Sequence, residues 1–432
     1  MINIIKKLSP ARNIALGFAS LIIIGSVLLI LPCSVRDGVS IRYIDSLYTS
    51  TSAVCVTGLI VVDAGDTFTP LGRFFLAMLI QIGGLGVTSI GAGVVLAIGK
   101  RVDIRGRALI KEAMNLDTGK GIVKLIRKVF IVTILFELIG AILSFVVFSR
   151  NYSFPDALGI SLFHSVAAFN NSGFDILGGG TNLIPYRDSA FLNLVTCGLI
   201  IFGGIGFPVI NEIWQNRFNL RKLSMHSKVV ISVTLTLLVV GTVLLKMTED
   251  VNWMGAFFSS VSARTAGFST YPLNSFTKSG LLVLIVLMFI GASPGSTGGG
   301  IKTTTFFVLL SGMGAAATNH SERVFHYAIP KEAFKKAAVI TLLAITVVIC
   351  GTYLIGVLEP DLQFLDVLFE TVSAYGTVGL STGITPRLCA GSKLLSIIIM
   401  YIGRLGPLTV ATIWHFSKGD RVSYPDGNIA IG

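Results

Sequence analysis

The chain has 432 residues, of which 53% are hydrophobic and only 13% are charged, and its mean hydropathy is +0.80. This composition excludes a soluble globular protein of the same length, which would need far more charge on its surface. The net charge of +12 could suggest nucleic-acid binding, but in so apolar a chain it is mainly a signal of membrane topology.

Eight apolar runs follow one another along the chain, each near the ~20 residues that a helix needs to cross a bilayer. They cover roughly residues 13–31, 74–98, 125–148, 191–214, 228–246, 281–310, 337–358 and 392–416. The first run follows basic residues as a signal peptide would, but it is long and lacks a small-residue cleavage site, so we predict a retained helix.

The distribution of charge predicts the orientation of these runs. Eight crossings place both termini on one side, and the loops of that side carry 22 basic residues against 9 on the other. Because basic loops stay in the cytoplasm, we predict a multi-pass protein of the cell membrane with both termini cytoplasmic. The basic segment 100–128 is explained by orientation and contact with anionic lipid, or by docking of a regulatory partner.

Four segments between paired runs resemble one another. They read DSLYTSTSAVCVTG (45–58), ISLFHSVAAFNNSG (160–173), AFFSSVSARTAG (256–267) and DVLFETVSAYGTVG (366–379). All four end in glycine, and the first and last share Asp, Leu, Ser and Ala at equivalent positions. We therefore predict internal repeats, each with an outer helix, a short re-entrant helix with a loop, and an inner helix.

The predicted fold is an all-α membrane protein of four fused helix–pore loop–helix repeats around a pseudo-fourfold axis. It has eight transmembrane helices and four re-entrant pore helices. The repeats are placed at 13–99, 120–216, 226–315 and 333–418, with a cytoplasmic tail at 419–432. Glycine motifs recur in phase in the inner helices, although generic helix packing is an alternative for any single copy. These motifs are IGGLG (82–86), FGGIG (202–206), IGASPG (290–295) and IGRLG (402–406).

The triplet at the end of each segment suits a ring of backbone carbonyls. The residues predicted to bind the ion are Val56, Thr57, Gly58, Asn171, Ser172, Gly173, Thr265, Ala266, Gly267, Thr377, Val378 and Gly379. Helix C-termini aimed at the axis attract cations, and glycine permits the positive φ that aligns carbonyls. Such a ring replaces the hydration shell of a monovalent cation, whereas a divalent site would recruit carboxylates. Only the last triplet is Thr-Val-Gly, so we expect one principal ring at the glycine level and moderate discrimination.

The sixth run is interrupted by GASPGSTGGGIKTTT (291–305), whose glycines and Pro294 break a helix. The spacing of a phosphate-binding loop fails, because Ile301 stands where its lysine belongs. We predict a flexible plug beneath the filter, with a simple helix kink as the alternative. Its predicted gating residues are Gly291, Ser293, Gly295, Gly298, Gly299, Gly300 and Lys302.

Several charged residues are predicted to lie within the membrane, where they are costly unless they face protein or water. Arg404 is expected to hydrogen-bond the 291–305 loop and to repel cations while the gate is closed, with structural pairing as the alternative. Arg264 and Glu370 are expected to brace the filter, with one another or with nearby carboxylates. Glu137 is assigned a packing hydrogen bond or a proton relay, and His164 a buried polar role.

The motifs VTGL (56–59), NSGF (171–174), TAGF (265–268) and TVGL (377–380), with the interrupted run and Arg404, resemble the Ktr/Trk/HKT superfamily of potassium transporters. The resemblance covers nearly the whole chain and is closest to the KtrB-type membrane subunit. It implies potassium uptake, with sodium as an activating ion, by a homodimer with one pore per subunit. It also implies a separate cytoplasmic ring of nucleotide-binding RCK subunits, and a gating role for the 291–305 loop.

The function predicted from these features is the ion-translocating membrane subunit of a potassium uptake system. An alternating-access cation carrier or symporter is the alternative, although repeats in one orientation disfavour it. An enzyme is not expected, because the sequence has no H-E-x-x-H or G-x-S-x-G motif. No cofactor is expected in the chain, only potassium as the transported ion. The five scattered cysteines suit free thiols.

Overall fold

The computed structural model describes residues 9–97, 106, 121–217, 219–318, 323–325 and 327–413. The predicted tail at 419–432 and most of the basic segment 100–128 lie outside these residues. Within them the chain is almost entirely helical. The single sheet of the described part is a short antiparallel ladder of β1 Arg323–Val324 and β2 Tyr327–Ala328.

The helices follow the order of the predicted repeats. The first contains α1 Pro10–Ile30, α2 Tyr43–Val54, α3 Ala64–Thr67, α4 Pro70–Leu85 and α5 Val87–Ala97. The second contains α6 Ile122–Phe148, α7 Phe154–Phe169, α8 Ala190–Ile205 and α9 Phe207–Gln215. The third contains α10 Met225–Thr248, α11 Trp253–Ser262, α12 Lys278–Phe289 and α13 Thr303–Thr318. The fourth contains α14 Lys331–Leu358, α15 Phe364–Gly376, α16 Ala390–Leu405 and α17 Pro407–Ile413. Turns of 3-10 helix lie at Ile184–Tyr186, Leu220–Lys222, Leu273–Ser275 and Thr385–Arg387.

One long helix opens each predicted repeat. In the described ranges, the helices that are single, long and apolar enough to cross a membrane are Ala11–Ile30, Ile122–Phe148, Met225–Thr248 and Glu332–Leu358. Their outward faces remain apolar and exposed, as at Ile142 and Ile349, which are 67% and 62% exposed. Exposed apolar surface of this extent marks a membrane or interaction surface.

The second run of each predicted pair is divided. α4 and α5 meet at Gly86, α8 and α9 at Gly206, and α16 and α17 at Gly406, with φ of 84°, 98° and 86°. The α8–α9 pair bends by 96°. The sequence analysis predicted a break in the sixth run, and the structure adds these three breaks, at glycines of positive φ that end the preceding helices. Eight crossings stay a prediction, since length alone identifies four spans in the described part, or five with the bent pair.

The same packing contact recurs where each short helix crosses its long helix. A Cβ added to a glycine of the long helix would meet a hydroxyl-bearing side chain of the short helix and a branched aliphatic side chain of the next helix. The glycines are Gly25, Gly140, Gly241 and Gly351; the hydroxyl residues are Ser50, Ser165, Ser260 and Thr371; the aliphatic residues are Leu79, Leu199, Leu287 and Ile399. Small residues allow such close helix approach, and it seats the short helices against the long ones.

Candidate functional site

The short helices α2, α7, α11 and α15 are each followed by the same backbone turn. The first residue of each triplet has a left-handed conformation, with φ of 57° at Val56, 58° at Asn171, 80° at Thr265 and 51° at Thr377. The glycine that ends each triplet also has a positive φ, between 67° and 95°. The middle residue does not, so the handedness of the backbone alternates. Alternation places successive N–H groups on one side and therefore the carbonyls on the other.

The N–H groups of the triplets point back to the short helices. In each triplet the middle N–H donates to a carbonyl near the end of its own helix. These bonds are Thr57 N to Ser52 O (2.7 Å), Ser172 N to Ala167 O (2.9 Å), Ala266 N to Ser262 O (2.9 Å) and Val378 N to Ser373 O (2.9 Å). Carbonyls near the helix C-termini thus accept the hydrogen bonds of the middle N–H groups, and the triplet carbonyls face away from the helices.

The four terminal glycines form a closed ring. A Cβ added to Gly58 would lie 3.2 Å from Gly173 Cα, and a Cβ added to Gly173 would lie 2.9 Å from Gly267 Cα. In the same way, a Cβ on Gly267 would lie 3.1 Å from Gly379 Cα, and a Cβ on Gly379 would lie 2.9 Å from Gly58 Cα, which closes the ring. Each imagined Cβ would also collide with the carbonyl of the neighbouring triplet's middle residue. Glycine is therefore required here by contact between strands as well as by φ.

The carbonyls inside this ring have no protein donor. Within the described ranges, no hydrogen bond ends on the carbonyl oxygens of Thr57, Ser172, Ala266 or Val378. The side chains of all eight non-glycine triplet residues are fully buried, at 0% exposure. The structure therefore brings together every residue predicted for the ring. Unpaired buried carbonyls at the negative ends of four helices can replace the water around a cation.

The 291–305 segment lies directly against the first residues of two triplets. Gly299 N donates to Thr377 Oγ1 at 3.0 Å, and a Cβ on Gly298 would collide with the Thr265 hydroxyl. The loop is held from the other side by α8, whose Gly203 carbonyl accepts from Thr297 N at 3.2 Å. A parallel bridge between Ile290 and Ile301 closes its base. The segment is thus a non-helical loop packed beneath the ring rather than a simple kink in a helix.

Arg404 makes the predicted hydrogen bond to this loop. Its Nη1 donates to the Thr297 carbonyl, and its Nη2 donates to the Gly84 carbonyl at 3.1 Å. Lys302 Nζ donates to the next carbonyl of the loop, that of Gly298, at 2.7 Å. Two cationic side chains therefore bind successive peptide groups, and the hydrogen bond predicted from Arg404 to the loop is present.

A cavity of about 590 Å³ adjoins the loop on the side away from the ring. Lys302, Lys336 and Arg404 line it, together with the breaks at Gly86 and Gly406. No Asp or Glu of the described residues lines this cavity. Its lining is therefore positively charged, in contrast to the carbonyls of the ring.

The predicted pairing of Arg264 with Glu370 is wrong. Arg264, which is 7% exposed, donates to the Gly291 carbonyl, at the start of the loop, over 3.4 Å. Glu370, which is 1% exposed, accepts from Ser381 Oγ at 2.8 Å and from Thr385 Oγ1. Glu370 is thus satisfied by hydroxyls of its own predicted repeat, whereas Arg264 reaches only backbone carbonyls and its buried Nε has no hydrogen-bond partner among the described residues.

Two other predicted polar contacts are present. Glu137 Oε1 accepts from Asn170 Nδ2 at 3.1 Å, which confirms the packing hydrogen bond. His164 Nε2 lies 2.9 Å from Thr196 Oγ1, as expected of a satisfied buried histidine.

A buried ion pair between α2 and α16 was missed. Asp45 lies in the first turn of α2, where an acid normally suggests capping. Its Oδ1 instead accepts from Lys393 Nζ of α16 at 2.7 Å, and the side chains are 8% and 1% exposed. A lysine at the start of an apolar run gives no local signal of such a partner.

Comparison with known proteins identifies the family. The family model described as "Cation transport protein" (TrkH) matches residues 17–228 and 212–418, which together span nearly the whole chain. The chain belongs to the TrkH family of cation transport proteins. As a member of this family it is a multi-pass membrane protein concerned with cation transport and not an enzyme, and the resemblance noted from the sequence is confirmed.

Relatives of this TrkH-family chain align over almost their full length. It is 36% identical to "Ktr system potassium uptake protein B" of Bacillus subtilis (strain 168), covering 99% of this chain and 97% of the relative. It is also 36% identical to the protein of the same name from Vibrio alginolyticus, covering 98% and 94%. "Potassium/sodium uptake protein NtpJ" of Enterococcus hirae is 36% identical, covering 99% and 98%.

A solved structure supports the fold of this TrkH-family chain. The potassium transporter TrkH from Vibrio parahaemolyticus matches with a TM-score of 0.74 at 18% identity, covering 95% of this chain and 86% of that one. At this identity the likeness concerns the fold alone.

Proposed function

We propose that this protein is the ion-translocating subunit of a potassium uptake system, and that potassium passes through the ring of triplet carbonyls. The observation that carries the proposal is the closed contact from Gly58 through Gly173 and Gly267 to Gly379 and back. This contact supports a site in which four unpaired carbonyls would surround one ion. Four diverged strands of a single chain would thus act as the four-membered filter of a channel.

The chemistry of the ring favours a monovalent cation. Backbone carbonyls supply partial charges, and a divalent ion would call for carboxylate ligands. No triplet residue is acidic. The names of the relatives, potassium uptake protein and potassium/sodium uptake protein, support potassium as the main ion, and we propose sodium as an activator.

The 291–305 loop is proposed as the gate. Its contacts with Thr265 and Thr377 put it on the line of passage through the ring. Arg404 and Lys302, bound to successive loop carbonyls, would repel cations from that line while the loop is in place. Opening would require the Arg404 bond to break and the loop to withdraw.

An alternating-access carrier remains the second candidate, because α4–α5, α8–α9 and α16–α17 are broken helices of the kind that build carrier sites. The two mechanisms differ in rate and coupling. Channel-like passage predicts flux that follows the potassium gradient alone. A carrier predicts saturable exchange that stops without a coupling ion.

The assembly that we propose around this subunit is the one implied by the family resemblance. It is a homodimer with one pore per subunit in the cell membrane, with both termini cytoplasmic and a separate nucleotide-binding RCK ring on the cytoplasmic face. The relatives' designation as parts of a Ktr system supports further components. The four repeat boundaries stay proposals with it.

The proposed filter is tested by cation uptake into proteoliposomes with Gly379→Ser. The new side chain would collide with the Thr57 carbonyl at a backbone φ of 95°, so we expect the preference for potassium over sodium to fall by about tenfold, or ~1.4 kcal/mol. Gly383→Ser is the matched control, because Gly383 has the same φ of 95° and no atom within 4 Å of its added Cβ. An unchanged preference in folded Gly379→Ser would refute the filter.

A further inference from the structure

Asn182 lies in the loop between α7 and the turn Ile184–Tyr186, outside every triplet. We infer that it is a specificity-determining residue that positions two of the four filter strands, an inference that rests on the proposed filter. Asn182 does not hydrogen-bond the ring carbonyls of Ser172 and Ala266. It would therefore act by positioning the strands and not by contact with the ion.

The side-chain amide of Asn182 joins the ends of the second and third strands. Its Nδ2 donates to the Gly173 carbonyl at 3.2 Å and to Asp175 Oδ2 at 2.9 Å. Its Oδ1 accepts from Ser269 N at 3.1 Å and from Leu183 N at 2.9 Å. Gly173 ends the second triplet, and Ser269 follows the third triplet by two residues. One amide therefore ties together two segments that are far apart in sequence.

These contacts allow only one orientation of the amide. Both of its N–H groups and both acceptor positions on its oxygen are used, so exchanging O and N would break all four bonds. Asp175, which is 8% exposed, is itself held by Leu177 N at 3.0 Å. Asn182 also has a φ of 50°, a conformation that asparagine tolerates better than most residues.

The second strand has a particular need for this tie. In the first and fourth strands the filter glycine N–H is held by a serine six residues earlier, from Gly58 N to Ser52 Oγ at 3.0 Å and from Gly379 N to Ser373 Oγ at 3.1 Å. The equivalent residue of the second strand is Ala167, which has no side-chain acceptor. Asn182 holds the same glycine from its carbonyl side, so it substitutes for the missing serine.

The position of Gly173 affects the first strand of the ring, which packs against it. A Cβ on Gly58 would lie 3.0 Å from Ser172 C and 3.2 Å from Gly173 Cα, so the first strand packs directly on the second. If the Gly173 peptide moved, the Ser172 carbonyl would leave the ring and the cavity for the ion would widen. Selectivity between ions of different radius depends on the number and rigidity of such carbonyls. Losing the tie should therefore alter discrimination more than throughput.

The test compares potassium and sodium uptake into proteoliposomes for wild type, Asn182→Gly and Asn182→Asp. Asn182→Gly removes the amide and accepts the positive φ, whereas Asn182→Asp keeps the shape and replaces the donor with an acceptor facing the Gly173 carbonyl and Asp175. We expect the potassium-to-sodium ratio to fall about three- to tenfold in both, as for the loss of a buried hydrogen bond. The maximal potassium rate should change by less than about twofold, because the ring carbonyls themselves remain.

Asn193→Ala is the matched control. Asn193 is a buried asparagine of α8, 1% exposed, whose Nδ2 donates to the Tyr186 and Arg187 carbonyls and so anchors the same outer loop without touching a strand. We expect this variant to lower thermal stability in detergent and to leave the ratio unchanged. A general loosening of the loop would lower the thermal stability without changing the potassium-to-sodium ratio.

Two outcomes overturn the inference. The first is an unchanged ratio in folded Asn182→Gly and Asn182→Asp, and the second is an equal fall in Asn193→Ala. Failure of the proposed function is a separate result, because wild type would then show no preference for potassium over sodium. If Asn182→Asp alone folds, its ratio decides, since the variant removes the donor to Gly173 and keeps the volume.

Discussion

Arg404 of α16 and Thr297 of the 291–305 loop are joined by a hydrogen bond from the guanidinium to a backbone carbonyl. The same guanidinium donates to Gly83 and Gly84 at the end of α4. One side chain therefore connects α4, the 291–305 loop and α16 beneath the ring. The acceptors are all carbonyls, and no carboxylate of the described residues pairs with Arg404, so on the proposed path its positive charge would face a passing cation.

Replacing Arg404 should release the loop. Arg404→Gln removes the charge and shortens the reach to the Thr297 carbonyl, and hydrogen bonds of charged donors contribute about 1.5–3 kcal/mol each. We expect basal potassium or rubidium flux through the isolated protein in proteoliposomes to rise about tenfold or more. Arg387→Gln, at an exposed arginine at the end of a 3-10 turn, should leave the flux unchanged. Basal flux equal to wild type in folded Arg404→Gln would remove Arg404 from the gate.

The buried pair of Asp45 and Lys393 predicts an asymmetric response to mutation. Asp45→Asn leaves Lys393, at 1% exposure, without its counter-charge, and should cost about 3–5 kcal/mol. Lys393→Met should cost less, because Asp45 keeps its second partner, Arg42 Nε at 2.9 Å. The measurement is the midpoint of thermal unfolding in detergent.

The double variant Asp45→Asn with Lys393→Met should recover most of that loss, since neither charge then remains buried. The exposed pair of Arg187 and Asp188, with side chains 54% and 80% exposed, is the control, and Asp188→Asn should shift the midpoint little. Additive losses in the double variant would contradict a coupled pair.

Glu359 predicts a dependence of stability on pH. It follows α14, is partly exposed, and its Oε1 accepts from Cys389 N at the start of α16 at 2.6 Å. Partial burial raises the pKa of this carboxyl, but the hydrogen bonds from Cys389 and Ser392 outweigh it, so its pKa lies below the ordinary value. A depressed pKa stabilises the fold above the unfolded-state pKa, and this contribution is lost as pH falls through the folded-state pKa.

Glu359→Gln should therefore lower the unfolding midpoint at about pH 7.5, and the difference from wild type should shrink below about pH 4. Asp361→Asn changes an exposed acid two residues away and should behave as wild type at both values. A difference for Glu359→Gln that grows as the pH falls would have the wrong sign.

The positions of the four triplets were predictable because the constraint on their last residue admits only one amino acid. Gly58 and its three equivalents need a positive φ and have no room for a side chain beside the neighbouring carbonyl. Such a position accepts only glycine, so the same letter ends all four segments. The left-handed residue two positions earlier was missed, since Val56 and Thr377 are β-branched and disfavour that conformation. The short helix and the strand contacts impose it.

The partners of charged side chains were less predictable. Arg264 and Glu370 were paired because their charges are opposite and their positions equivalent. Their actual partners, Gly291 and Ser381, lie in loops whose path back to the helices the sequence does not indicate. Asp45 and Lys393 are 348 residues apart, and no periodicity connects them. The break at Gly86 was ambiguous for another reason, because a glycine in an apolar run serves close packing and helix termination equally well.

The most direct test of the ring is the position of rubidium, a potassium substitute, in anomalous diffraction from crystals of the protein grown with that ion. The account predicts a peak between the carbonyl oxygens of Thr57, Ser172, Ala266 and Val378, weakened in Gly379→Ser. A protein that takes up rubidium but shows its strongest peak elsewhere, with these oxygens unoccupied, would contradict the account.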